Sequence, residues 1–581
     1  MPAQTLARLL DRLDELKRPA HPPHRAALQR VLGQLARRRF TDAASLIRFH
    51  ENLLFLCAYP QSAALLRQSE RLLAAFKARV AALGQMGAED FDSFAYSDVS
   101  GIAGTSFTAA FGYDITRWLA RAHPRAVKLV WDRFEQLSRL TATFPRFLPL
   151  FAESAYVDAA VPFTAWLRAA RARHETPLAW LVRQFERLPL TPQERAEIFE
   201  PMQLWVRWEL GDSKATRTHM RLPVRARFYH RTPLLGRRDV DLARELASPP
   251  LNVKRLTRAA GARLLAMGRD TMAVRFRELH GFTYGDPQTV WRAKAGRGVE
   301  LYLWGVPPER RLPMLAYHAL LLVKNGVPCG YAEALSLCER TEIGLNVFYT
   351  FRDGESAWLY ARLMRLCQQL LGVTVFSIDP YQLGAHNDEG IESGAYWFYR
   401  KLGFRPTRPD LIKLDATEAH KIATRTGYRS SARTLRKLAQ GHVIYEPPTA
   451  TDGAWDRFHV HHVGLKIARR MGQSFEGDAA KIRRASAAKV ARALGLSTDK
   501  WRVVEQRAFA DLALVLALIP DLARWSPAEK QAVVRVVRAK AGADELDYLR
   551  RLQQHARLRR AIIELGTSRA PLNQDDESNE A

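Results

Sequence analysis

The segment from Arg352 to Ala357, Arg-Asp-Gly-Glu-Ser-Ala, is where this chain places groups that could hold an anion. It lies between an apolar run, TEIGLNVFYTF, and an apolar-periodic run, WLYARLMRLCQQLLG, that closes on Gly372 in the manner of a capped helix. Strand, polar turn and helix together outline a phosphate cradle. A helix N-terminus offers unpaired N–H groups and partial positive charge, so the amides around Gly354, Ser356 and Ala357 suit a diphosphate. Arg352 would add a charge-assisted contact. Glu355 carries the wrong sign for such a ligand. The competing reading makes Ser356 an N-cap and Glu355 a favourable first-turn acid.

The surrounding elements are strongly patterned. LLLVKNGVPCGYAEAL has two apolar runs about Asn325-Gly326, the dipeptide that accepts the positive φ angles of a tight hairpin. VTVFSID reads as a buried strand, and GIESGAYWFYRKLGF as an aromatic helix stopped by Gly403 and Pro406. VELYLWGV, Val299 to Val306, reads as an earlier strand, helices are expected between Val253 and Leu279, and DLIKLD reads as a closing strand.

In this order, the segments resemble the GNAT superfamily of acyl-CoA N-acyltransferases, over roughly residues 240–425. Val347, Arg352 and Ala357 are in step with the family loop V-x-P-x-Y-R-x-x-G-x-G/A, with Gly354 one place early and Glu355 where the first loop glycine is usual. Ala395, Tyr399, Lys401, Leu402, Gly403 and Phe404 match a second signature, A-x-x-x-Y-x-K-L-G-F, although Glu392 replaces a common asparagine. The resemblance implies acetyl-CoA or another acyl-CoA as co-substrate, bound through Val347, Phe348, Arg352, Gly354, Ser356 and Ala357. It implies Glu342 as general base and Tyr399 as general acid, with the N–H near Phe348 polarising the thioester carbonyl. Glu339 competes with Glu342, and Tyr396 on the same helix face competes with Tyr399.

Lys plus Arg number 88 against 60 Asp plus Glu, a net charge of +28 that points toward polyanions. Lys421, Arg425, Arg429, Arg433 and Lys437 recur every four residues, which on one helix would form a stripe. RNA, DNA or tRNA is one partner for it; a solvated face and the nucleotide part of CoA are the alternatives, and Gly427 would divide it if it breaks the helix. His459, His461 and His462 lack ligand-spaced partners, so no metal is expected. Cys57, Cys329, Cys338 and Cys367 have no paired-ligand spacing and read as buried thiols. The N-terminal apolar run is charged throughout and no run is long enough to span a bilayer, so the expectation is a cytoplasmic protein.

The fold expected is α+β and multidomain: a GNAT-like mixed β-sheet with helices on both faces, flanked by all-α regions. The boundaries read as helical 1–88, helical 89–239, acyltransferase-like 240–425, basic helical 426–566 and an acidic, disordered tail 567–581. The function expected is transfer of an acyl group, acetyl foremost, to an amine of a macromolecular acceptor by direct attack in a ternary complex. The rivals are a nucleic-acid-binding or scaffolding protein on a degenerate GNAT fold and an aminoacyl-tRNA-dependent transferase. The sequence leaves the oligomeric state open.

Overall fold

A computed structural model describes residues 5–20, 24–134, 136–157, 162–447 and 453–567. The fold is mixed α/β: a large mixed sheet with helices packed about it. Twelve strands occur among the described residues: β1 Ser106–Ala110, β2 Val127–Leu129, β3 Trp205–Glu209, β4 Asn252–Arg255, β5 Trp291–Gly296, β6 Val299–Trp304, β7 Ala316–Lys324, β8 Val327–Leu337, β9 Arg340–Val347, β10 Val375–Ile378, β11 Arg405–Pro406 and β12 Val443–Tyr445. The first three form a small antiparallel sheet; the other nine form one sheet in the order β11-β12-β10-β9-β8-β7-β6-β5-β4. Every pairing in the large sheet is antiparallel except β9 with β10.

The centre of the sheet is the β7–β8 hairpin. Its turn uses Asn325 at φ 49° and Gly326 at φ 86°, both in the left-handed region that this dipeptide tolerates. Unusually for a turn, Asn325 is buried. Its Nδ2 donates to Ala58 O at 2.8 Å and its Oδ1 accepts from Phe228 N–H at 2.8 Å, so the turn is pinned from both earlier regions. β7 is buried along its whole length, as its apolar run requires of a strand covered on both faces. One face carries the His280–Tyr284 helix, with Phe282 edge-on to Trp304 at 4.9 Å between ring centroids. The Ser356–Leu371 helix lies buried along Leu359, Tyr360, Leu363 and Met364.

Residues 5–85 form five helices. The Ala43–Ala58 helix is almost wholly buried, because it is apolar on every side and sits among its neighbours against the sheet. It also carries a buried polar network. Arg217 Nη2 donates to Glu51 Oε2 at 2.6 Å and to Thr350 Oγ1 at 2.8 Å, while His50 joins Glu51 at 2.9 Å and Thr218 at 2.9 Å. Burial pushes the Glu51 carboxyl up, but Arg217 and His50 outweigh it and hold the group at about 2.

Several sequence expectations are corrected. The region 89–239 is not all helical: the helix ends at Phe199, Pro201 follows, Gln203 takes φ 46°, and Trp-Val-Arg-Trp-Glu then alternates inward and outward as β3. The basic segment after Gly211 is not a loose boundary, since Thr216, Arg217, Thr218 and His230 are buried within it. DLIKLD lies in the helix Pro409–Thr424, with Pro409 at the first helical position and Asp410 in the first turn. The strand on that side is β12, so the sheet extends past the boundary placed at 425. Likewise β4 occupies Asn252–Arg255, where helix was expected. All four cysteines are buried and free. No helix among the described residues is long and apolar enough to cross a membrane. The tail from 568 lies outside the described residues.

Candidate functional site

β9 and β10 stay paired only at Arg340/Val375, Thr341/Phe376 and Glu342/Ser377. Beyond that point β10 ends at Ile378, and Asp379 caps a short helix, Pro380–Leu383, by accepting from Tyr381 N–H at 2.8 Å. β9 continues to Val347 beside β8 alone. The pairing therefore has a gap past Glu342, where the Gln382 side chain lies against Gly344. Phe348 does not supply an amide to this gap, because its N–H donates to Cys329 O at 3.0 Å. Strand alternation turns the neighbouring N–H groups of Leu345 and Val347 the other way, into the gap.

Glu342 stands at the last paired position, where the gap opens. Its side chain is 26% exposed and takes one contact from Arg340 Nη2 at 3.2 Å. Burial raises its carboxyl above the ordinary range; Arg340 opposes this and the nearby Asp379 adds to it. Glu339, the competing base, accepts from Trp455 Nε1 at 2.6 Å and Arg559 Nε at 2.7 Å and is thereby tied to later helices. Tyr396 is also committed: its hydroxyl donates to Asp415 Oδ1 at 2.8 Å, and Arg400 Nε reaches the same carboxylate. Tyr399 is different. It is 4% exposed, packs against Tyr360 and Phe404, has no hydrogen-bond partner among the described residues, and burial pushes its phenol up.

The loop after β9 leads into the Ser356–Leu371 helix. Gly354 N–H donates to Phe351 O at 2.9 Å, but the amides of Ser356, Ala357 and Trp358 at the first turn meet no acceptor among the described residues. Glu355 turns away from this mouth and into the core. It is completely buried, with Oε2 taking Lys324 Nζ at 2.9 Å and Oε1 taking Arg297 Nε at 2.9 Å and Leu235 N–H at 3.2 Å. Burial pushes its carboxyl up, yet Lys324 and Arg297 outweigh that and keep it ionised below the usual range. Its charge is thus neutralised from below. Arg352 is 39% exposed, pairs with Glu389 and donates weakly from Nε to Val347 O at 3.4 Å.

The first helices also reach this loop. Asp353 pairs with Arg18 at 2.5 Å and with Lys17 at 3.5 Å, and the Tyr59 hydroxyl covers Gly354 so closely that a Cβ would not fit there. These neighbours were not anticipated from sequence. One signal was available: Lys324 is a lone charge ending an apolar strand run, and a charge there needs a buried partner.

The basic stripe is split. Its first helix ends at Thr424, Gly427 takes φ 77°, and the second helix starts at Ala432. Lys421 is paired with Glu418 at 2.7 Å, whereas Arg425, Arg429, Arg433 and Lys437 are exposed and make no ion pair among the described residues. His459, His461 and His462 stack on one another, and no cluster of three potential metal ligands occurs among the described residues.

No family model matches this chain, and no curated protein or solved structure is detectably similar to it.

Proposed function

We propose that the chain is an acyl-CoA-dependent N-acyltransferase built on a GNAT-type core. The observation that carries the reading is that β9 loses its β10 partner after Glu342 and then runs on into a helix whose first three amides are unpaired among the described residues. A thioester needs the first, and a diphosphate needs the second. The inward turn of Glu355 removes the main objection, since its charge is matched by Lys324 and Arg297.

In this reading the Ser356, Ala357 and Trp358 amides hold the diphosphate, and Arg352 reaches it by leaving Glu389. The N–H groups of Leu345 and Val347 bind the carbonyl oxygen where negative charge develops. Glu342, its proton affinity raised by burial, accepts the proton that the attacking amine loses as the new C–N bond forms. Tyr399 keeps its proton at neutral pH and donates it to the thiolate as the C–S bond breaks. Holding donor and acceptor together supplies much of the rate. Acetyl is the acyl group we favour, and an amine of a macromolecule the acceptor.

Calorimetric titration with acetyl-CoA, followed by transfer assays against amine-bearing acceptors, tests this. Saturable binding weakened by Ala357→Pro, which reshapes the amide mouth, is expected. Absence of any heat or transfer sinks it. A second reading has its own observation: the exposed, unpaired Arg425, Arg429, Arg433 and Lys437 favour a polyanion, which fits an RNA-linked acceptor or an aminoacyl-tRNA donor. Salt-dependent binding of tRNA compared with duplex DNA separates those cases.

A further inference from the structure

A cleft of about 350 Å³ separates the Tyr113–Ala122 helix from the β-sheet region, where its far wall includes Arg269, Tyr284 and the Pro307–Arg310 turn. That is within the size range of small-molecule sites. It shares no residue with the β9–β10 gap.

Arginine dominates its lining. Arg117, Arg121, Arg195, Arg269 and Arg310 face Asp114 and Glu309. Glu186 binds Arg117 at 3.6 Å and Arg121 at 2.5 Å, and Asp270, which accepts from Trp118 Nε1 at 2.9 Å, neighbours Arg269, so five cations meet four carboxylates and the balance stays positive. Three of the arginines lie over aromatic rings of the same wall: Arg310 over Tyr284 at 4.0 Å, Arg269 over Trp118 at 5.1 Å and Arg195 over Tyr113 at 6.0 Å. Stacking fixes the plane of a guanidinium and leaves its edge free for in-plane hydrogen bonds. Arg269 uses only its Nε, donating to Thr283 O at 3.2 Å, whereas Arg195 spends its Nη2 on Leu188 O and Leu190 O. The Arg310 guanidinium comes no nearer than 3.7 Å to Asp114.

A second observation points to a ligand. Tyr113 is 2% exposed and lines the cleft, yet its hydroxyl makes no well-formed hydrogen bond: its neighbour is the Arg195 guanidinium, whose Nε is likewise unengaged and whose Nη2 is taken by Leu188 O and Leu190 O. Buried polar atoms are normally satisfied, so orphaned ones on a cavity wall mark where a partner is missing.

We infer that this cleft binds a small phosphate monoester. A monoester carries close to two negative charges near neutral pH, the sign that the arginine-rich lining favours. Its oxygens accept from the free edges of Arg269 and Arg310 and from the Tyr113 hydroxyl, and the remaining volume houses a compact polar body such as a sugar. CoA and RNA ends also carry phosphate, so the test must tell the sources apart.

Ribose 5-phosphate, ribose and inorganic phosphate are titrated calorimetrically into the full chain at physiological ionic strength. We expect one saturable site for ribose 5-phosphate and no response to ribose. Arg269→Gln and Arg310→Gln should each weaken binding about tenfold or more, and Arg269→Lys should fall between, keeping charge but losing the fork. Arg18→Gln, at the loop before the Ser356–Leu371 helix, should change nothing. Thermal melts establish that the variants are folded, and Arg310, near the cleft mouth, provides the second variant if Arg269→Gln is not. The inference is overturned if ribose 5-phosphate does not bind, if ribose binds equally, or if folded cleft variants keep full affinity while Arg18→Gln loses it.

Discussion

Glu342 and Lys324 carry opposite lessons about a buried charge. Glu342 is largely buried with a raised carboxyl, suited to taking a proton. Glu342→Gln should lower transfer about 10²- to 10⁴-fold with acetyl-CoA affinity kept, and the acid limb of the wild-type rate profile should lie above the ordinary glutamate range because the group holds its proton more tightly. Equal rates in the variant would remove Glu342 from the reaction. Lys324 instead neutralises Glu355 in the core. Lys324→Met strands that carboxylate beside Arg297 alone and should cost about 3 to 5 kcal/mol in denaturant melts, whereas Lys324→Met with Glu355→Leu should recover part of the loss. The sequence made Glu342 and the odd placement of Glu355 visible. It did not reveal which way Glu355 points, because that is decided by Arg297 and Lys324, far away along the chain and adjacent only once the sheet forms.

Among the elements, the ones with strong local pattern were legible. The Asn325-Gly326 turn, the β7–β8 hairpin and the capped Ser356–Leu371 helix all follow from short-range chemistry. Those with weak pattern were misread: Asp-Leu-Ile-Lys-Leu-Asp alternates well enough to resemble a strand, but Pro409 and Asp410 at a helix start and the packing of Leu411 decide otherwise. β3 was lost because Trp205 to Glu209 follows directly on a helix. The helix ending at Leu371 offers a test of its own. Gly372 takes φ 69°, and a Cβ there would also come within 2.6 Å of Gln553 Oε1. Gln553 Nε2 meanwhile donates to Leu371 O and Cys338 O, each at 2.9 Å. Gly372→Ala should therefore destabilise by at least about 1 to 2 kcal/mol, read as a shift in the unfolding midpoint, and Gln553→Leu, which strips both donations, should itself cost about 1 to 3 kcal/mol.

Across the whole molecule, buried histidines set an acid limit. Burial, the largest influence, depresses His318 to about 4 and His230 to about 3, with Lys324 adding to the latter. Both remain neutral in the fold while the unfolded chain protonates near 6.5. The unfolded state therefore binds more protons below that value, and stability should fall as pH drops from about 6.5 toward 4. Glu51 extends the loss at still lower pH: its stabilisation is present above 4.5 and disappears toward about 2. Thermal melts across this range should show the midpoint falling, with a gentler slope in His318→Asn; an unchanged slope would show that His318 does not set it. The α+β, multidomain reading was right in its mixed sheet and flanking helices, yet not in how closely these join, since separate regions were drawn through residues such as Arg217 and His230 that lie buried at their junctions.

The bond between Glu51 and Thr350 bridges 299 positions of chain. At ordinary translation speeds of about 5 to 20 residues per second, the ribosome needs roughly 15 to 60 s to travel that far. Until then the buried network of the first helices is incomplete, gaining Arg217 and Thr218 midway and Thr350 only at the end. The nascent amino-terminal portion must wait, partly assembled, for the middle of its own sheet, and that interval is when chaperone contact or premature cleavage should be greatest.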